Sequence, residues 1–142
     1  MFEQYLQQLN VLALLTAILA YWFLGMVWMI PGFMGNAWMK ELKAHGVTTE
    51  KPEQKEMMGM MIGSIIYTAV VTFGVSYITF IAGTVNAAAA VKMGALLGVC
   101  FSFTTIGITY TWERRSMKNL LIDGGYHAMG IFLATVILSL WH

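Results

Sequence analysis

Charge is scarce in this chain. Eight Lys and Arg and seven Asp and Glu make up 11% of 142 residues, against 58% apolar ones and a mean hydropathy of +0.69. A soluble domain devotes about a quarter of its residues to charge, so a water-soluble fold is excluded. The net charge of +1 leaves no basic face beyond short clusters, which removes nucleic acid as a partner. Cysteine is nearly absent too. The single Cys100 excludes an internal disulfide and a thiolate metal site within one chain. Also missing are a nucleophile–base–acid set, a glycine-rich phosphate loop and any metal-ligand spacing, so the reading expects no enzyme, no metal and no cofactor. No Lys or Arg precedes the first apolar run, and no small-residue cleavage pattern follows it. That run reads as a retained helix.

What the chain does have is length without charge. Residues 4–39, 57–91 and 93–112 carry no formal charge, and each reaches the ~20 residues that span a hydrocarbon core. The last run reaches that length only if its helix begins near Ser116. The reading is therefore all-α: a single integral membrane domain over 1–142, a four-helix transmembrane bundle with helices at about 9–30, 52–81, 88–112 and 117–141. Phe2, Tyr5, Leu6 and Leu9 recur at helical spacing and predict a short interfacial lead-in. Pro31-Gly32 ends the first helix, and Asn36 is predicted to cap a short interfacial helix through Ala44, in the first cytoplasmic loop, that stops at Gly46. Lys40, Lys43, Lys51 and Lys55 fall in the first loop and Arg114, Arg115 and Lys118 in the third, whereas the second has only Lys92. The positive-inside rule puts the first and third loops in the cytoplasm and both termini outside.

Polar residues follow helical spacing where they occur. Ser64, Thr68, Thr72 and Ser76 make a hydroxyl line on the second helix. On the third, Gly94, Gly98, Ser102, Thr105, Thr109 and Glu113 are spaced to share one face. On the fourth, Asn119, Asp123, Tyr126 and His127 share a side that continues as Gly130 and Ala134. Small residues on such faces permit close helix contact. Gly59 and Gly63 form a further small-xxx-small step, so at least one face is expected to meet a second copy.

The segments Trp28-Met-Ile-Pro-Gly-Phe-Met-Gly-Asn-Ala-Trp-Met39, Trp112-Glu-Arg-Arg115 and Asn119-Leu-Leu-Ile-Asp-Gly-Gly-Tyr-His127, with a small-residue final helix, carry a resemblance over nearly the whole chain. The sequence resembles the bacterial family catalogued as domain of unknown function 1761. The resemblance implies four transmembrane helices in a bacterial inner membrane and implies no activity. Family members often have asparagine where this chain has Asp123.

Two functional readings compete at the cluster Glu113, Arg114, Arg115, Asn119, Asp123, Tyr126 and His127. In the first, a carboxylate–arginine pair clasps the third and fourth helices of a structural or accessory membrane component that self-associates or joins a larger complex. In the second, the cluster and Ser102, Thr105 and Thr109 line the cytoplasm-facing vestibule of a small channel or transporter. The run Met57-Met-Gly-Met-Met61 spreads around more than half a helix and reads as apolar filling, not as a copper site. His127 is the one histidine placed inside the bundle, so haem within one chain is not expected. Trp22, Trp28, Trp38 and Trp112 read as interfacial anchors.

Overall fold

Polar caps decide where three of the helices begin. Asn10 accepts the Ala13 N–H at 3.0 Å, Asn86 that of Ala89 at 2.9 Å and Ser116 that of Asn119 at 3.1 Å. Each satisfies one orphan donor of a first turn. The computed structural model describes residues 1–141; His142, which the sequence reading puts at the face opposite the basic loops, lies outside the described residues. The described chain is all-α, with α1 (Phe2–Gln8), α2 (Val11–Trp28), α3 (Asn36–Ala44), α4 (Gln54–Ile81), α5 (Ala87–Ala95), α6 (Thr104–Trp112) and α7 (Met117–Leu140). Two π-helical segments, Pro31–Gly35 and Leu96–Phe103, precede α3 and join α5 to α6. Four helices are long and apolar enough to cross a membrane: α2, α4, the Ala87–Trp112 rod and α7.

Three local expectations change. The helix expected over 9–30 begins at Val11, because Leu9 is extended and separates it from α1, the lead-in expected over Phe2 to Leu9. It also ends at Trp28, since Ile30 before Pro31 is extended (ψ 146°), as a following proline favours. Asn36 caps nothing, because the π turn runs straight into α3 and Asn36 is already helical.

The ends of α3, α4 and α6 close alike. Val47 N–H reaches Leu42 O at 3.0 Å, Thr84 reaches Thr79 O at 3.1 Å and Arg115 reaches Tyr110 O at 2.9 Å. Each brings one residue into the left-handed region: Gly46 (φ 71°), Gly83 (φ 60°) and Arg114 (φ 54°). The first two are where the motif wants glycine. Arg114 takes the same conformation with a side chain, at a cost of about 1 kcal/mol.

α7 sits at the centre, packed on α2, α4, α5 and the second π segment. Small residues set the spacing. A Cβ on Gly94 would lie 3.2 Å from the Phe132 backbone, one on Gly98 would strike the Ala128 carbonyl, and one on Gly130 would strike the Tyr21 ring. Ala134 is fully buried among Ala13, Ala17, Tyr21, Leu97, Ile131 and Leu138. These four small positions are thus used inside one chain. Gly59 and Gly63 have nothing within 4 Å of a built Cβ, and every residue from 53 to 62 is exposed.

The π segment alters the third helix most. One extra residue in a turn rotates everything after it by about 100°. Gly94 and Gly98 face α7, but the contacts then pass to Phe103 (against Gly124), Gly107 (against Leu120) and Tyr110 (against Asp123). The step from 98 to 103 is five residues, and the single face expected to carry Gly94 through Glu113 does not exist. Ser102 is half-buried and Thr105 is exposed, its hydroxyl bonded back to the Phe101 carbonyl.

At the lysine- and arginine-bearing end, α3 is fastened to the start of α7. Ser116 Oγ donates to Glu41 Oε2 at 2.5 Å and Lys118 Nζ lies 3.7 Å from Glu41 Oε1. The Ser116 hydroxyl, helped by Lys118, holds the Glu41 carboxyl below the ordinary glutamate range. A depressed folded-state pKa contributes stability above the unfolded value of about 4.3, and that contribution disappears as pH falls through the folded value. Acidification below about pH 4 should therefore release α3 and shift tryptophan emission, whereas Glu41→Gln should flatten that transition.

Candidate functional site

Tyr110, two residues before the end of α6, donates its hydroxyl proton to Asp123 Oδ2 at 2.5 Å. Deeper in the same hairpin, residues equidistant from the Glu113–Arg114 turn face each other, as Phe103 does Gly124 and Gly107 does Leu120; Tyr110 departs from that pairing and reaches along α7 to Asp123. One turn further along α7, His127 Nδ1 and the Tyr21 hydroxyl share a hydrogen bond of 2.8 Å. Tyr126 lies edge-on to Tyr21 with ring centroids 5.7 Å apart, and its hydroxyl rests on the backbone of Gly25. Trp28 Nε1 donates to the Ile122 carbonyl at 3.0 Å. Glycine at 25 makes room for the Tyr126 ring.

Tyr110, Asp123, Tyr126 and His127 border a cavity of about 400 Å³ opening near the basic loops. Its polar lining comes from Thr109, Tyr110, Arg115, Asp123, Tyr126 and His127, and its apolar lining from Met29, Trp38, Leu42 and Ile106. Arg115 leaves Asp123 without an ion pair. Its Nε lies 2.6 Å from Glu113 Oε2, within the same turn, and its guanidinium carbon sits 4.8 Å from the Tyr110 ring centroid. Arg114 is exposed and makes no ion pair among the described residues. The expected arginine–carboxylate clasp between the third and fourth helices is therefore absent among the described residues; Tyr110–Asp123 joins those helices, and Glu41 ties α3 to α7.

The remaining sequence candidates separate. Asn119 is fully buried, outside the cavity lining, and neither of its side-chain polar atoms has a partner among the described residues. Of the three hydroxyls expected to line a vestibule, Thr109 does so and Ser102 and Thr105 do not. Tyr21, Trp38, Ile106 and Tyr110 are additions that sequence reasoning missed. Counting back from the turn sets Tyr110 opposite Met117, so its reach along α7 to Asp123 was not readable. Nor was Trp38, because its place depends on how the π turn swings α3 beneath the bundle. A second cavity of about 290 Å³ at the other end, bordered by Tyr5, Asn10, Ser76, Thr79, Thr84 and Trp141, has no charged residue in its lining. No group of three or more potential metal-ligating side chains occurs among the described residues.

Four apolar helices of spanning length define a helical protein of the multi-pass membrane class. The chain belongs to the DUF1761 family, proteins of unknown function, whose family model matches residues 12–139. No curated protein and no solved structure matches it significantly.

Proposed function

We propose that this protein is a non-enzymatic channel or transporter that admits a small solute through the cavity bordered by Asp123, His127, Tyr126 and Tyr110. In this reading the four helices cross a bacterial inner membrane as one bundle, with the basic loops in the cytoplasm and both termini outside. One observation carries the choice of solute handling over a purely structural clasp: Asp123 faces a cavity and forms no salt bridge among the described residues. Ionisable groups at membrane depth that are not consumed in pairing mark solute or ion paths. Proteoliposomes should take up at least one small polar probe among urea, glycerol, alanine and methylammonium faster than protein-free vesicles. Filling the cavity by Ile106→Trp should slow that uptake about ten-fold without loss of fold. Equal rates with and without protein for all four probes contradict the proposal.

Self-association, the other expected role, is favoured by a separate feature. The N-terminal half of α4 is exposed, and Gly59 and Gly63 are uncovered there, so a second copy could approach closely. Disulfide cross-linking of Gly63→Cys in native membranes should then trap a dimer, and a uniformly monomeric product refutes this role.

A further inference from the structure

We infer that the solute held in this cavity is a small organic cation, its ammonium group against Asp123 and its apolar body against Trp38, Tyr110 and Tyr126. The inference rests on the solute-handling reading and adds the chemistry of the solute.

Asp123 forms no salt bridge in the cavity wall among the described residues. Arg115 is neutralised by Glu113 at 2.6 Å. His127 spends Nδ1 on the Tyr21 hydroxyl at 2.8 Å. Asp123 receives one hydroxyl hydrogen bond, from Tyr110, and no Lys, Arg or His nitrogen lies within ion-pairing distance of it among the described residues. A carboxyl group held by a neutral donor has acceptor positions left to offer to a ligand, and Tyr110 holds it in place.

The rest of the wall decides which kind of cation. Hard metal ions need six or more oxygen ligands, or several retained waters; here one carboxylate stands among rings and the aliphatic chains of Met29, Leu42 and Ile106. Such a wall desolvates an apolar body and presents ring faces to positive charge, the chemistry that recognises alkylammonium groups. The Tyr110 ring already carries a cation, the Arg115 guanidinium, 4.8 Å from its centroid. The volume of about 400 Å³ equals that of roughly a dozen liquid waters. A bare inorganic ion would leave most of it unfilled.

The test uses the full chain in lipid nanodiscs, with calorimetric titration against empty discs. The probes are choline, its uncharged isostere 3,3-dimethylbutanol and the anion 3,3-dimethylbutyrate. Choline should bind about ten-fold more tightly than the isostere, and the anion most weakly. Asp123→Asn, which can still accept from Tyr110, should erase the difference between choline and the isostere. Equal binding of choline and the isostere to the unaltered protein, tighter binding of the anion, or no binding of choline overturns the cation assignment. So does a preference for choline that survives Asp123→Asn. The underlying reading fails separately, when a water-borne thiol reagent does not reach Ile106→Cys.

Discussion

Gly130→Ala is expected to destabilise the protein by about 2 kcal/mol, although the same exchange at an open helical site would stabilise it. The Tyr21 ring lies where the new methyl group would stand. Overpacking of this kind costs about 1–3 kcal/mol, and displacing Tyr21 also forfeits its bond to His127, worth about 1 kcal/mol. Better helix propensity returns at most about 1 kcal/mol, so the loss wins. Gly59→Ala and Gly63→Ala meet nothing within 4 Å and should be neutral or stabilising by up to about 1 kcal/mol. Thermal unfolding of the three variants in one detergent checks the contrast. A stabilised Gly130→Ala would mean that Tyr21 does not pack as described.

Asn119→Leu should have the opposite sign. Both polar atoms of Asn119 are buried without partners among the described residues, and an unsatisfied buried polar group costs about 1–3 kcal/mol. Leucine is the nearest apolar shape and removes that cost while adding some volume. The expected gain is about 1–2 kcal/mol, read as a raised unfolding midpoint. A clear loss would show that the amide is satisfied in the membrane and is part of the fold's polar framework.

Most of the architecture was legible from the sequence. Long uncharged runs set four spanning helices, Ser116 announced the start of α7, and Gly46 the end of α3. Gly94, Gly98, Gly130 and Ala134 were readable as contact positions because close approach leaves little but small residues. What failed was phase. A π segment has no sequence mark comparable to proline, and the 3.6-residue period assumed through residues 96–103 carried Ser102 and Thr105 onto a face they do not occupy. The mistaken arginine clasp has a different origin. Spacing along the chain shows which charges are near one another but not which way Arg115 turns, and a carboxylate two residues away captures it. Tyr21, from a helix more than a hundred residues earlier, could be joined to His127 only by tertiary packing.

On the proposed function, water reaches the cavity between the third and fourth long apolar helices from the basic end. Ile106 and Thr105 are neighbours at one depth on different sides of the rod, the first lining the cavity and the second exposed outward. In Cys100→Ser protein reconstituted in lipid, a charged, membrane-impermeant thiol reagent applied from the basic side should label Ile106→Cys and spare Thr105→Cys. Labelling of Thr105→Cys with Ile106→Cys protected would restore the uninterrupted polar stripe and contradict the cavity.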